Sequence, residues 1–249
     1  MSQSMTVPPG RPREIWTRFT VDPLATPLAA WLARSRHVTP NRVTWVAILL
    51  AIGSAACFAG GLFRLGGVLF LLRFFVDCLD GKVARAQGSS STRGAVLDLA
   101  ADVGGIALVV TALSWTLLRR NDVHELVPVA LLGAMVFYNW ALAHRKQLAA
   151  ALGLGDGGAD HTRQVTVPVV RQWVAFCRRL NMSPVPWALE AEIGMLGLAP
   201  IFLPSEWIGF GLALGLCFYL VADALNMVRL WRLSQQTDDA RTSRGTDDA

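Results

Sequence analysis

Charged residues are scarce in this sequence: they make up 16% of its 249 residues, whereas an ordinary soluble domain carries about 25%. Hydrophobic residues account for 53%. Together these values exclude a soluble globular domain, and they exclude disorder, which requires low hydrophobicity and high charge. The 23 basic residues lie between long apolar runs and do not cluster beside a water-soluble fold, so nucleic acid is not an expected partner.

Cysteine is also sparse, with four residues and no C-x-x-C spacing, which excludes a disulfide-rich secreted scaffold. The first forty or so residues are polar and arginine-rich, without the apolar core of a signal peptide, so we expect none.

Long apolar runs are what the sequence does contain. Six of them have the length needed to cross a bilayer, and they cover about 43–63, 66–87, 94–118, 124–143, 185–203 and 206–231. We therefore expect an all-α integral membrane protein with six transmembrane helices. The last third of the second run is unusually polar.

The remaining segments are assigned around a transmembrane domain over 38–233. We expect residues 1–21 to be flexible, and residues 234–249 to form a disordered tail. Over 22–37, apolar residues recur at helical spacing, which predicts an amphipathic helix on the membrane surface. An alternative is an ordinary helix packed on the cytoplasmic ends of the spans.

The distribution of basic residues predicts the orientation. Nineteen of the 23 lie on the side that holds both termini, the 82–93 turn and the 144–184 connector. The positive-inside rule makes that side cytoplasmic. The strong preference for arginine over lysine suggests a GC-rich bacterial genome, and hence a bacterial inner membrane.

Four aspartates lie within or beside the second and third spans. Asp77 and Asp80 are three residues apart, and Asp98 and Asp102 are four apart, so each pair occupies one face of a helix. A short polar turn joins the two helices, which are expected to be antiparallel neighbours with the pairs facing each other. A carboxylate cluster suits one or two hard cations such as Mg²⁺ or Mn²⁺.

Small residues accompany the aspartates. Gly81 and Ala84 follow Asp80 on the same helical face, and Gly94 extends the face of the second pair. Such a surface lets a phosphate-bearing ligand approach the backbone, and Arg85 supplies a cation for phosphate. For the glycines alone, close helix–helix packing is an equal alternative.

These residues follow a single pattern: Asp77-x-x-Asp80-Gly81-x-x-Ala84-Arg85, eight further residues, then Gly94-x-x-x-Asp98-x-x-x-Asp102. The pattern resembles the motif of the CDP-alcohol phosphotransferases, also called CDP-alcohol phosphatidyltransferases, with all eight defining positions present. Thr39-Pro40-Asn41-x-x-Thr44 is similar to the usual start of the family's first span. Beyond residue 120 the likeness is in topology only.

The resemblance implies an enzyme that transfers a substituted phosphoryl group from a CDP-linked donor, most often CDP-diacylglycerol, to an alcohol, and releases CMP. By the same resemblance, Asp77, Asp80, Asp98 and Asp102 ligate the metal, and Asp102 is also the general base. Asp77, Gly81, Ala84, Arg85 and Gly94 bind the nucleotide and its phosphates. Family members are usually homodimers.

The motif does not report the acceptor, so other polar residues near the spans are candidates. Arg145, Lys146, Asp223 and Arg229 are the acceptor-binding candidates for an alcohol or phosphorylated polyol, with His144, Glu190, Glu192, Asn226 and Arg232 also notable. The basic residues could instead set topology or meet lipid headgroups, and Asp223 could pair with an arginine of a neighbouring helix.

Two other functions remain open at this point. A divalent-cation transporter would also place aspartates in spans, although it does not require the small residues or Arg85. A phosphotransferase that uses a soluble CDP-polyol is the second alternative.

Overall fold

The structure is a computed structural model, and it describes residues 16–35, 37–89, 91–152, 168–180 and 188–247. This part of the chain is all-helical. The helices are α1 (Asp22–Leu32), α2 (Pro40–Ala59), α3 (Phe63–Gln87), α4 (Thr92–Arg120), α5 (Leu126–Ala151), α6 (Pro168–Arg179), α7 (Ala188–Glu192), α8 (Ala199–Phe202) and α9 (Ser205–Asp247). Thr17–Val21 and Ile193–Leu198 are π-helical segments.

Four helices in the described residues are long and apolar enough to cross a membrane: Pro40–Ala59, Thr92–Arg120, Leu126–Ala151 and Ser205–Thr237. They match four of the six predicted spans. The second predicted span is a full-length helix, α3, which contains too many charged residues to meet the same criterion. The fifth is a continuous helical run in which α7, a π-helical segment and α8 follow one another, and its first residues lie outside the described part of the chain.

Two helix starts near the aspartates are fixed by side-chain caps. Thr39 accepts a hydrogen bond from the backbone N–H of Arg42 at the start of α2, where Pro40 occupies the first turn. Ser91 accepts one from the backbone N–H of Gly94 at 3.0 Å and so begins α4. The preceding helix, α3, ends at Gly88, whose φ of 60° favours glycine.

Helix α2 is the common partner of α3 and α4, which make few contacts with each other. This corrects the expectation that α3 and α4 pack directly as antiparallel neighbours. The turn with Gly88 and the Ser91 cap bring the end of α3 close to the start of α4. Beyond this turn the two helices diverge, and α2 packs against both of them. In the other half of the chain α5 packs along α9.

The two halves share one apolar core. Phe58, Phe70, Leu113, Leu131 and Leu212 are all buried in one cluster that draws on α2, α3, α4, α5 and α9. The segment Ile193–Leu198 contacts both α3 and α9. A Cβ on Gly67 would lie 2.7 Å from the carbonyl oxygen of Gly197, so this close backbone approach requires glycine.

Helix α1 lies against α3. Ala25 and Ala29 are buried in this contact, whereas Leu24 and Trp31 are exposed. Lys82 of α3 forms an ion pair with the buried Asp22 at 2.5 Å. Ala25 and Ala29 therefore form the centre of the packing surface with the half-buried Leu28 and Leu32 beside them, while Leu24 and Trp31 point away from the bundle.

Three boundaries differ from the sequence expectations. Thr17–Val21 is helical within the segment expected to be flexible. Helix α9 continues to Asp247, through most of the tail expected to be disordered, because no proline interrupts residues 205–247. The expected 144–184 connector contains the end of α5 and all of α6.

Candidate active site

Three of the four aspartates meet where α3 and α4 converge. Asp77 and Asp80 lie one turn apart on α3, and Asp98 lies in the second turn of α4. One carboxylate oxygen from each lies within 4.8 Å of the others. Asp80 is buried and Asp98 is exposed, so the group is open on one side.

Hydrogen bonding distinguishes these carboxylates. Thr44 of α2 donates its hydroxyl to Asp80 Oδ2 at 2.7 Å, which fixes the orientation of that carboxylate. Asp77 Oδ1 is buried and accepts no hydrogen bond. A buried carboxylate oxygen without a donor is costly unless a cation approaches it. The three-carboxylate group therefore fits a hard divalent cation, which prefers oxygen ligands.

Asp102 stands apart from this group. Its carboxylate lies 2.5 Å from the Arg73 guanidinium, and Arg73 Nη2 is also 3.8 Å from Asp77 Oδ1. Arg73 is 3% exposed. This arginine falls within the second predicted span, and the sequence motif assigns it no role. Its position one turn before Asp77 was the available signal, because a charge inside a membrane span requires a partner.

The residues expected to contact the nucleotide surround the same opening. Arg85 is exposed at the end of α3 and folds back over Gly81, where an added Cβ would lie 3.4 Å from its Nη1. Ala84 is half-buried in the same turn. On α4, a Cβ at Gly94 would lie 3.3 Å from Oδ1 of Asn41, which starts the neighbouring helix. Backbone is thus accessible on both sides of the carboxylates.

The candidate acceptor residues lie between α5 and α9. Arg145 is half-buried and donates to Oδ1 of Asn226 at 2.8 Å. Asp223 is buried one turn earlier on α9, and its Oδ1 has no hydrogen-bond partner. Asp223 therefore does not take the arginine partner that the sequence left open. Arg229 and Lys146 are exposed, and Arg229 lies within electrostatic range of Arg145.

Glu192 lies between the aspartates with Arg73 on one side and the polar residues of α9 on the other. It accepts a hydrogen bond from the hydroxyl of the buried Tyr219 at 2.7 Å. It also lies within electrostatic range of Arg73 and Asp102. The sequence singled out Glu192 but not Tyr219, because a tyrosine in an apolar run carries no pattern that reveals its partner 27 positions away.

The fold and the site define an α-helical membrane protein with a metal-binding carboxylate group at the convergence of two helices. The family model of the CDP-alcohol phosphatidyltransferases matches residues 37–199. The chain belongs to this family. It is a transferase of substituted phosphate groups that moves such a group from a CDP-linked donor to an alcohol, releases CMP and depends on a divalent cation.

Curated relatives include two phosphatidylinositol phosphate synthases. The Mycolicibacterium smegmatis protein is 29% identical over 190 residues, which are 75% of this chain and 83% of the relative. The Mycobacteroides abscessus protein is 33% identical over 191 residues, 76% and 84% of the two chains. In a crystal structure, the Mycobacterium tuberculosis phosphatidylinositol phosphate synthase with CDP-DAG bound has the same fold. It is 22% identical with a TM-score of 0.58, over 84% of this chain and 94% of that one.

Family membership argues against the cation transporter considered from the sequence. The site adds a physical reason, since the buried Arg73 lies beside Asp77 and Asp102. A fixed positive charge at this point would repel a cation that had to pass through.

Proposed function

We propose that this enzyme is a phosphatidyltransferase that uses CDP-diacylglycerol as donor and a phosphorylated inositol as acceptor. Two relatives that carry the name phosphatidylinositol phosphate synthase share about three quarters of the chain with it, which supports both substrates. The donor class follows from the family, whereas the acceptor depends on residues outside the shared motif.

One observation carries the proposed acceptor: the half-buried guanidinium of Arg145, held by Asn226 between α5 and α9. A guanidinium presents paired N–H donors that match a phosphate group. Asp223 adds a buried carboxylate oxygen without a donor, which can accept hydrogen bonds from polyol hydroxyls. With the exposed Arg229 and Lys146 on the same two helices, this set suits an acceptor with both a phosphate and hydroxyl groups.

For the transfer step, we assign the donor pyrophosphate to the carboxylate group of Asp77, Asp80 and Asp98. Gly81, Ala84 and Gly94 let the nucleotide approach the backbone, and Arg85 neutralises phosphate. A bound Mg²⁺ or Mn²⁺ would supply electrostatic stabilisation of the pyrophosphate oxygens. Asp102 accepts the proton of the acceptor hydroxyl while the oxygen of that hydroxyl bonds to the lipid-side phosphorus of the donor. The bond between this phosphorus and the bridging pyrophosphate oxygen breaks, and that oxygen leaves with CMP.

We also propose six membrane spans, with α3 and the continuous α7–α8 segment as the two beyond the four apolar helices. Helix α3 has 25 residues, about 38 Å of helix, and Arg73, Asp77 and Asp80 face the site. The exposed Leu24 and Trp31 support an interfacial position for α1. Both termini and the active site face the cytoplasm of a bacterial inner membrane, and the enzyme acts as a homodimer.

The test is CMP release by the purified full chain with Mg²⁺ or Mn²⁺ and CDP-diacylglycerol. The acceptors are inositol phosphate, glycerol phosphate, inositol and serine. We expect turnover with inositol phosphate and at least tenfold less with inositol, because losing the phosphate removes its contacts to Arg145. Equal rates with both acceptors would refute the proposed phosphate recognition.

The donor is tested in the same assay. Turnover with a soluble CDP-polyol, but not with CDP-diacylglycerol, would overturn the lipid donor and favour the alternative considered from the sequence. Both donors release CMP, so the second product distinguishes them. That product partitions into lipid when the donor is CDP-diacylglycerol and into water when the donor is a soluble CDP-polyol.

A further inference from the structure

Arg73 is a buried cation in the middle of the catalytic helix α3. Among the residues that the structure describes, it is the one arginine that is buried, at 3% exposed. A charged side chain inside a membrane span is costly unless it is paired. Its contacts therefore indicate what it is for.

Those contacts join α3 to α4. Arg73 Nη2 lies 2.5 Å from Asp102 Oδ1 and 3.5 Å from the Asp102 carbonyl oxygen. The same nitrogen lies 3.8 Å from Asp77 Oδ1. Gly105, one turn beyond Asp102, lies beside the guanidinium, since a Cβ there would be in van der Waals contact with Nη2 at 3.7 Å. Arg73 thus bridges one aspartate from each half of the motif.

This bridge divides the four aspartates into two kinds. Asp77, Asp80 and Asp98 bring carboxylate oxygens within 4.8 Å of one another, and Asp102 is not in that group. Asp102 already has a counter-ion, whereas Asp77 retains a buried oxygen without a hydrogen bond. A second divalent cation between Asp77 and Asp102 would have to approach the fixed charge of Arg73.

We propose that Arg73 is a positioning residue that takes the place of a second divalent cation between Asp77 and Asp102. The substrate-free enzyme accordingly binds one cation tightly, at Asp77, Asp80 and Asp98. Asp102 is held apart from that cation by its pairing with Arg73. The inference rests on the cation dependence of the family and not on the acceptor proposed above.

The experiment is Mn²⁺ binding to the purified full chain in detergent, without donor or acceptor, with free Mn²⁺ counted by electron paramagnetic resonance. The parent is expected to bind one Mn²⁺ tightly per chain. Arg73→Met should bind a second ion, and the first about tenfold more tightly, because a positive charge has been removed beside carboxylates. Arg73→Lys should retain one ion. Arg64→Met, an exposed position on the same helix, should behave like the parent.

If Arg73→Met does not fold, a double variant that removes one positive and one negative charge still tests the proposal. Arg73→Met combined with Asp102→Asn removes both partners of the bridge and should bind one Mn²⁺ within about threefold of the parent affinity, because neither residue ligates that ion. A tenfold loss in this variant would overturn the proposal. Two tight ions in the parent, or an unchanged ion count in folded Arg73→Met, would do the same. Since CMP release is not measured, these outcomes are independent of the proposed acceptor.

Discussion

The two halves of the bundle hold their polar groups in different ways. In α1–α4, charged side chains form close contacts over a small volume: Arg73 with Asp102, Lys82 with Asp22, and Thr44 with Asp80. In α5–α9, polar residues are spread along the helices. Within the part of the chain that the structure describes, Arg145 donates a hydrogen bond to the neutral amide of Asn226, and Oδ1 of Asp223 has no hydrogen bond.

This difference corresponds to the two proposed binding sites. The first half contains the family motif, to which we assign the CDP-linked pyrophosphate and its cation. The second half contains the residues that we propose to bind the acceptor. Preformed pairs suit a fixed task, whereas incompletely paired groups are available to a ligand. Substitutions in the first half should therefore affect every acceptor alike, and those in the second should affect one acceptor selectively.

The largest expected effect comes from the carboxylate group. Asp80→Asn should reduce CMP release by about a thousandfold or more with every acceptor, because an amide cannot replace the charge that holds the cation. The rate is measured at saturating Mg²⁺, alongside Mn²⁺ binding. Asp122→Asn, at the opposite end of α4, serves as the matched control. Retention of both turnover and Mn²⁺ binding in Asp80→Asn would remove Asp80 from the site.

In the second half, Arg145→Met should raise the KM for inositol phosphate by about ten- to a hundredfold, because a charge-assisted contact to phosphate is lost. The KM for CDP-diacylglycerol should not change. Arg119→Met is the matched control, since it removes an exposed arginine at the far end of α4. Equal effects on both KM values would show that Arg145 supports the fold and does not select the acceptor.

A third comparison concerns stability within the first half. Lys82→Met should destabilise the protein by about 2–4 kcal/mol, because it removes the ammonium group 2.5 Å from the buried Asp22 carboxylate. Thermal unfolding in detergent measures this loss. The combined Lys82→Met and Asp22→Asn variant should recover part of it. A single variant that unfolds at the parental temperature would mean that the pair does not anchor α1.

The smallest expected effect is that of Thr44→Val, which removes the 2.7 Å hydrogen bond to Asp80. A net loss of about 1 kcal/mol corresponds to a Mn²⁺ affinity about fivefold lower. Thr44→Ser keeps the hydroxyl and should restore parental binding. If valine and serine variants bind Mn²⁺ equally well, Asp80 does not need Thr44 for its orientation.

The sequence predicted the convergence of Asp77, Asp80 and Asp98 because spacing along a helix and a short turn are local features. It did not predict that α2 would lie between α3 and α4, since that depends on which apolar faces pack best. Nor did it reveal the Arg145–Asn226 contact, whose partners are 81 positions apart. Spacing along one helix can be predicted from a single sequence. Contacts between residues far apart in sequence depend on how all the helices pack.

The predicted number of spans also depends on contacts that the sequence does not reveal. Hydropathy identifies α2, α4, α5 and α9, whose outer surfaces are apolar. It does not identify α3, which we propose as a further span, because Arg73, Asp77 and Asp80 make that helix too polar. The structure adds that these charged side chains meet partners inside the bundle.

The polarity of α3 has a consequence for how the chain enters the membrane during synthesis. Three charged residues cost about 8–10 kcal/mol at mid-bilayer on insertion scales, so α3 does not partition into lipid alone. The short turn that joins it to the apolar α2 makes a hairpin the smallest unit that can insert. Within that hairpin Arg73 already has Asp77 one turn away. The same ion pair that helps to arrange the active site thus gives α3 a partial counter-charge before α4 has been made.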